Sequence, residues 1–142
     1  MNRKYLETYE NLKRLSLEKI AESCMNNLLF VRETLTKADI EDSQAILLCF
    51  GFLISFCDEE KKFNDRELQL FKLLTGNKIT KDEAENYFGR MMTDDVLKNL
   101  KNLCKVSSEI RDNFAGIALS VFAVNHNINE NQKALFDFIF EE

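Results

Sequence analysis

The chain has no proline, no tryptophan, one histidine and four glycines in 142 residues. Proline fixes φ and removes a backbone donor, and turn-rich β architectures use it constantly as punctuation. Its complete absence fits helices joined by short polar connections and fits poorly with strands and turns. With a single histidine, few catalytic or metal-binding arrangements can be built. There is no GxSxG, no Gly-rich phosphate loop and no HExxH. His126 stands among asparagines without a Ser or Cys at motif spacing, so it is expected to be exposed and non-catalytic. The chain reads as a non-enzyme.

The cysteines Cys24, Cys49, Cys57 and Cys104 form no CxxC pair, and His126 completes no zinc spacing with them. They are expected to be buried small hydrophobes in a reducing compartment. An excess of positive charge is also missing: the net charge is −5. Nucleic-acid backbones and anionic membranes need clustered Lys and Arg, so neither is expected as a partner. The longest apolar run, Ala45–Cys57, is 13 residues, too short to span a bilayer. The opening MNRKYLETYENLKRL is charged throughout and does not read as a signal peptide. A cytoplasmic protein without membrane insertion is expected.

Apolar residues make up 45% of the chain and charged residues 30%, a globular balance at the length of one ordinary domain, 1–142. The helix signals are legible. Tyr5, Tyr9, Leu12 and Ile20 recur at helical spacing in a first amphipathic helix over about 3–23, with an extension to about Leu35 and a break near Asn26-Asn27. A mostly apolar helix from Asp42 or Ser43 to about Cys57 is expected to be the buried central element. Asn64 with Glu67 has the spacing of a capping box, and Gly76 is a typical helix stop. Thr80 with Glu83, Thr93 before Asp94-Asp95, Ser107 or Ser108, and Asn129 with Gln132 open four more helices. The fold class is all-α: a single compact bundle of about seven helices.

Two segments match at an offset of 65 residues: FGFLISFCDEEKKFNDRELQLFKLL from Phe50 and AGIALSVFAVNHNINENQKALFDFI from Ala115. Gly51 meets Gly116, Ser55 meets Ser120, Asn64 meets Asn129, and Leu70-Phe71 meets Leu135-Phe136. Caps and apolar positions share the register. This predicts two pseudo-repeated helix–polar loop–helix units, at about 45–75 and 110–140. Phe63 and Ile128, just before the caps, would each staple a loop to the helix that follows.

At these loops the sequence resembles the TerB-like family, named for tellurite-resistance proteins, whose loop pattern is D-G-x-[IV]-x-x-x-E after a small, apolar helix. Here the first loop reads Glu60-Lys61-Lys62-Phe63-Asn64-Asp65-Arg66-Glu67 and the second Asn125-His126-Asn127-Ile128-Asn129-Glu130-Asn131-Gln132. The resemblance covers roughly Asp42–Glu142. It implies an all-helical fold with two helix–acidic loop–helix units and a divalent cation, calcium or magnesium, held by loop acids. Carried onto this chain, the cation ligands would be Asp58, Glu60, Asn64, Asp65 and Glu67, with Glu59 nearby. The chain departs from the pattern where acid-plus-Gly becomes Glu60-Lys61 and Asn125-His126, and where the closing Glu becomes Gln132. The second loop keeps one carboxylate, Glu130, so a hard cation would belong to the first loop and bind weakly. An EF-hand register from Asp58 fails, with Phe63 where Gly is needed and Gln69 where the closing Glu belongs. Capping alone also accounts for Asn64/Glu67 and Asn129/Gln132, at about 1 kcal/mol per cap.

Twelve phenylalanines include the alternating Phe136, Phe138 and Phe140. Residues two apart do not share a helix face, so at least one should be exposed, as a surface for a protein partner or a homodimer. Two functional expectations result. One is a TerB-like helical module acting through protein–protein contacts in a stress-response or membrane-associated assembly. The other is a phage- or mobile-element-encoded interaction or inhibitor protein whose metal loops have degenerated.

Overall fold

The computed structural model describes the backbone of residues 1–57, 62–91 and 93–141, and the side chains of all of these except 87–91. Every regular element among the described residues is a helix. In chain order they are α1 (Arg3–Lys13), α2 (Leu17–Lys37), α3 (Asp42–Ser55), α4 (Asp65–Thr75), α5 (Lys81–Met91), α6 (Asp94–Val106), α7 (Ser108–Asn125) and α8 (Glu130–Phe140). No described helix is long and apolar enough to cross a membrane.

The starts follow side-chain chemistry. Asn2, Ser16, Asn64, Thr93, Ser107 and Asn129 each accept a hydrogen bond from a backbone N–H of the first turn they precede. Each removes one of the donors that a helix start leaves without an intrahelical partner. Thr80 does the same for α5, through the Glu83 N–H at 3.2 Å. Gly76 closes α4 at φ 65°, a left-handed conformation that costs glycine little.

Two expectations about the first half are corrected. The break lies at Arg14–Ser16, where Ser16 caps a new helix, and α2 runs unbroken through Asn26-Asn27. The described residues therefore hold eight helices, one more than expected. The Asn27 side chain lies over Gly116 of α7. A Cβ on Gly116 would stand 2.3 Å from Asn27 Nδ2, so only glycine lets the amide lie there.

The central element is α7, not α3. Every residue from Phe114 to Val124 is buried. α1, α2, α3, α4, α6 and α8 all pack on α7. In α3, Ile46, Leu47, Leu48 and Phe50 remain partly exposed, although α3 is the more apolar sequence. Hydropathy ranks the two helices wrongly because what admits neighbours on every side is small size. Ala115, Gly116, Ala118, Ser120 and Ala123 let backbones approach, while the large side chains of α3 from Ile46 to Phe50 stay partly exposed. Ser120 Oγ donates to the Gly116 carbonyl at 2.8 Å, and Ser55 Oγ to the Gly51 carbonyl at 2.9 Å, so both buried hydroxyls are satisfied within their helices.

An aromatic core fills the space between α3, α7 and α8. Phe52 meets Phe114 with ring centroids 4.8 Å apart, Phe56 meets Phe122 at 5.7 Å, and Phe136 meets Phe140 at 4.6 Å. Truncating one such ring to Ala costs about 3–5 kcal/mol. α1 joins through Tyr5, whose ring packs edge-on against Phe136 at 5.5 Å. Tyr5 Oη donates to Asp112 Oδ1 at 2.9 Å, and Lys4 Nζ lies 2.5 Å from Asp112 Oδ2. Burial pushes the Asp112 carboxyl up, but hydrogen bonds from Lys4 and Tyr5 outweigh it and hold the group below its ordinary value.

Burial, and then the bond to Asp112, push the Tyr5 phenol up to about 12. A raised phenol stabilises the fold fully below the unfolded value of 10.0, and that contribution is lost as pH climbs toward 12. Tyr5→Phe should therefore lower unfolding free energy by about 1–2 kcal/mol at neutral pH, and the gap to wild type should close above pH 10. Urea unfolding at a series of pH values checks this. A gap that stays constant through pH 11 would contradict a phenol held above its ordinary value in the folded chain.

Candidate functional site

The two polar elbows meet at one end of the bundle. One leads from α3 into α4, and the other from α7 into α8. Asp58, Glu59 and Glu60, expected as acids of the first elbow, lie outside the described residues. Of the remaining expected cation ligands, Asn64 and Glu67 form a complete capping box and Asp65 is exposed on the first turn of α4.

Glu67 is 1% exposed. Its Oε1 accepts the Asn64 backbone N–H at 2.9 Å, and its Oε2 accepts Asn125 Nδ2 at 2.8 Å. Asn64 Nδ2 in turn donates to Asn125 Oδ1 at 2.8 Å, and Asn64 Oδ1 accepts the Glu67 N–H at 2.8 Å. The closing residue of the first elbow thus grips the last residue of α7. The second elbow reciprocates. Gln132 forms the capping box with Asn129, and its Nε2 donates to the Phe56 carbonyl, at the end of α3, at 2.9 Å. Each hairpin's first helix is finished by a side chain from the other hairpin.

This exchange explains why one closing residue is an acid and the other an amide. Glu67 faces an amide donor, which a carboxylate accepts. Gln132 faces a carbonyl, which only a donor can satisfy. The Glu-to-Gln departure in the second loop therefore follows from its hydrogen-bond partner. Glu85 adds a third tie, its Oε1 accepting the Phe63 N–H at 3.0 Å. Phe63 itself is buried and packs on Phe71 at 4.8 Å, so the loop is pinned to α4 one turn beyond the usual staple position.

The described donors do not fit a divalent cation. A cation needs several converging oxygens. Here an amide NH₂ occupies Glu67 Oε2, a backbone N–H occupies the Asn64 oxygen, and Asp65 is held apart on the surface. Among the described residues no group of three or more His, Cys, Asp or Glu is arranged to hold a metal. His126 is exposed and closes α7 in the left-handed conformation, at φ 56°.

The three C-terminal phenylalanines divide. Phe136 and Phe140 are buried in the aromatic core, which corrects their assignment to a partner surface. The i, i+4 pair turns inward because the space between α3 and α7 must be filled. Phe138 alone faces out, with Lys101 Nζ 4.3 Å from its ring centroid.

A second feature was not anticipated from the sequence: an apolar groove of about 310 Å³ between α2, α3 and α4. Met25, Leu28 and Leu29 of α2 form one wall, and Ile46, Cys49 and Phe50 of α3 the other. Leu74 and Ile79 close one end, with Lys78 at the mouth. Arg32 lines the groove and grips Asp42 through two bonds, Nε to Oδ1 at 2.6 Å and Nη2 to Oδ2 at 2.5 Å. The Asp42 carboxyl is held below its ordinary range by that guanidinium. Burial pushes the Cys49 thiol up to about 12, so the floor is uncharged. All four cysteines are free and buried. The signal for the groove was the α2 stripe Met25, Leu28, Leu29, Arg32 at i, i+3, i+4 and i+7, which periodicity alone cannot distinguish from core.

The complementarity of the elbows predicts an asymmetric response to charge. Gln132→Glu should destabilise the fold by about 2–3 kcal/mol at pH 7, because a carboxylate would face the Phe56 carbonyl. A variant carboxyl raised by that contact is penalised above its unfolded value near ~4.3 and relieved below it, where the protonated acid can donate. Chemical unfolding from pH 7 to 4 should show the gap to wild type narrowing. A gap that is absent, or that widens toward acid, would contradict the exchange.

No family model, curated protein or solved structure matches this chain.

Proposed function

We propose that this chain is a non-enzymatic helical interaction protein of the TerB-like kind, working in a stress-response or membrane-associated assembly by receiving a protein partner in the α2–α3–α4 groove. The observation that carries this reading is the groove itself, an apolar recess of about 310 Å³ kept open at the surface, with Leu29 44% exposed. Concave recesses lined mostly by apolar side chains with a few polar groups are where proteins most often receive ligands and partners.

The two pseudo-repeated units belong to the proposal. Features recurring at the 65-residue offset support them: the capping boxes of Asn64/Glu67 and Asn129/Gln132, the buried closing residues, and the Ser55–Gly51 and Ser120–Gly116 bonds. Weak divalent-cation binding at the first elbow would fall to Asp58, Glu59 and Glu60, which lie outside the described residues, because the described donors are spent on one another. That same observation favours the second reading, a phage- or mobile-element-encoded inhibitor with degenerate metal loops. Both readings use the same surface.

The test compares two surface variants. Leu29→Asp places a charge in the groove, and Phe138→Ser removes the exposed aromatic of α8. A partner co-purified from the native host, then purified and titrated by calorimetry, should bind Leu29→Asp at least about tenfold more weakly, a loss of ~1.4 kcal/mol. Phe138→Ser should bind within about twofold of wild type, with both variants retaining wild-type helicity. The reverse pattern would move the working surface to α8 and overturn the assignment to the groove.

A further inference from the structure

Resting on the groove reading above, we propose that the groove's occupant is one face of an acidic amphipathic helix from a protein partner, with an acid set against Lys78. Three observations lead there. The first is shape. Met25, Leu28, Leu29 and Arg32 line the groove over two turns of α2, about 10 Å at the α-helical rise. That length accepts anchors at i, i+3 or i+4, and i+7 of a docking helix. The second is openness. A small ligand site encloses most of its ligand. Here Leu29 is 44% exposed along the wall, so an occupant keeps one side in water, as an amphipathic helix does.

The third is charge. The chain carries −5 overall, yet two of the residues lining the groove, Arg32 and Lys78, are basic and none is acidic. Arg32 chelates Asp42 bidentately. Lys78 is exposed, and no acid among the described residues pairs with it. With Arg32 neutralised by Asp42, Lys78 leaves one uncompensated positive charge at this recess, which favours a partner with an acid flanking an apolar face over a basic one.

The experiment uses the full chain and three fluorescein-labelled synthetic helices of about 16 residues, long enough for two turns of contact with flanks. One has a Leu face flanked by Glu, one has the same face flanked by Lys, and one has Glu flanks with Ser replacing Leu. Fluorescence anisotropy should show saturable binding of the Leu/Glu helix, at least about tenfold weaker binding of the Leu/Lys helix, and no binding of the Ser/Glu helix. Lys78→Glu should reverse the preference between the Glu and Lys flanks, and Leu29→Asp should abolish binding of both.

Several outcomes would overturn the proposal. Equal binding of both Leu helices, lost in Leu29→Asp, would remove charge selection while leaving the groove as the working surface. Binding of the Ser/Glu helix as tightly as its Leu counterpart would reduce the contact to surface charge. Saturable binding of decanoate with no binding of any helix would make the occupant a small anionic amphiphile. Self-association by light scattering, lost in Leu29→Asp, would make it a second copy of this chain.

Discussion

The structure depends on one helix being enclosed. α7 is buried from Phe114 through Val124, and six other helices touch it. A helix covered on all sides must be apolar and must also be thin, because each neighbour has to reach the same axis. α7 meets both demands by alternating large anchors such as Phe114, Ile117 and Phe122 with glycine, alanine and serine. Its one polar exception is resolved locally, Ser120 bonding to the Gly116 carbonyl, and the absent Gly116 side chain gives room to the Asn27 amide of α2.

Enclosure creates a problem at the C-terminal end of α7, where carbonyls and polar side chains meet the elbows. The solution is reciprocal. Glu67 and Asn64 of one hairpin hold Asn125 of the other, and Gln132 returns a donor to the Phe56 carbonyl. Buried polar groups stabilise only when each finds a complementary partner, and the acid and the amide stand on the sides where their partners are a donor and an acceptor. Elbow residues that resemble a cation loop in sequence thus form a cross-brace. The α2–α3–α4 groove is lined by neither elbow.

Much of this was legible from residue order, where the physics is local. The caps at Asn64, Thr93, Ser107 and Asn129, and the stop at Gly76, depend on side chains and φ angles within one turn, so they could be read directly. The break before Ser16 was missed because Asn26-Asn27 looked like the stronger breaker. Asn27 instead sits inside α2 with its side chain over Gly116, on a helix about ninety residues away, and tertiary packing of this kind overrides local propensity. The rank of α3 and α7 was inverted for a related reason: hydropathy counts apolar atoms, while enclosure counts neighbours. The candidate site was the least legible part. Glu67 could be foreseen as a cap, but its second partner, Asn125, is set by how the hairpins cross. Phe136 and Phe140 could be separated from Phe138 by helical phase, yet which phase faced inward depended on the space beside α3. The groove is built by three helices, and the α2 stripe that lines it reads equally well as core.

If α7 is the enclosed axis, its amides open only when the whole molecule opens. Native-state hydrogen exchange followed residue by residue in increasing denaturant measures this most directly. The account predicts that amides from Phe114 to Val124 converge on the global unfolding free energy and share its denaturant dependence. Exchange of those amides through a smaller opening, with α1, α3 or α4 still protected, would contradict it.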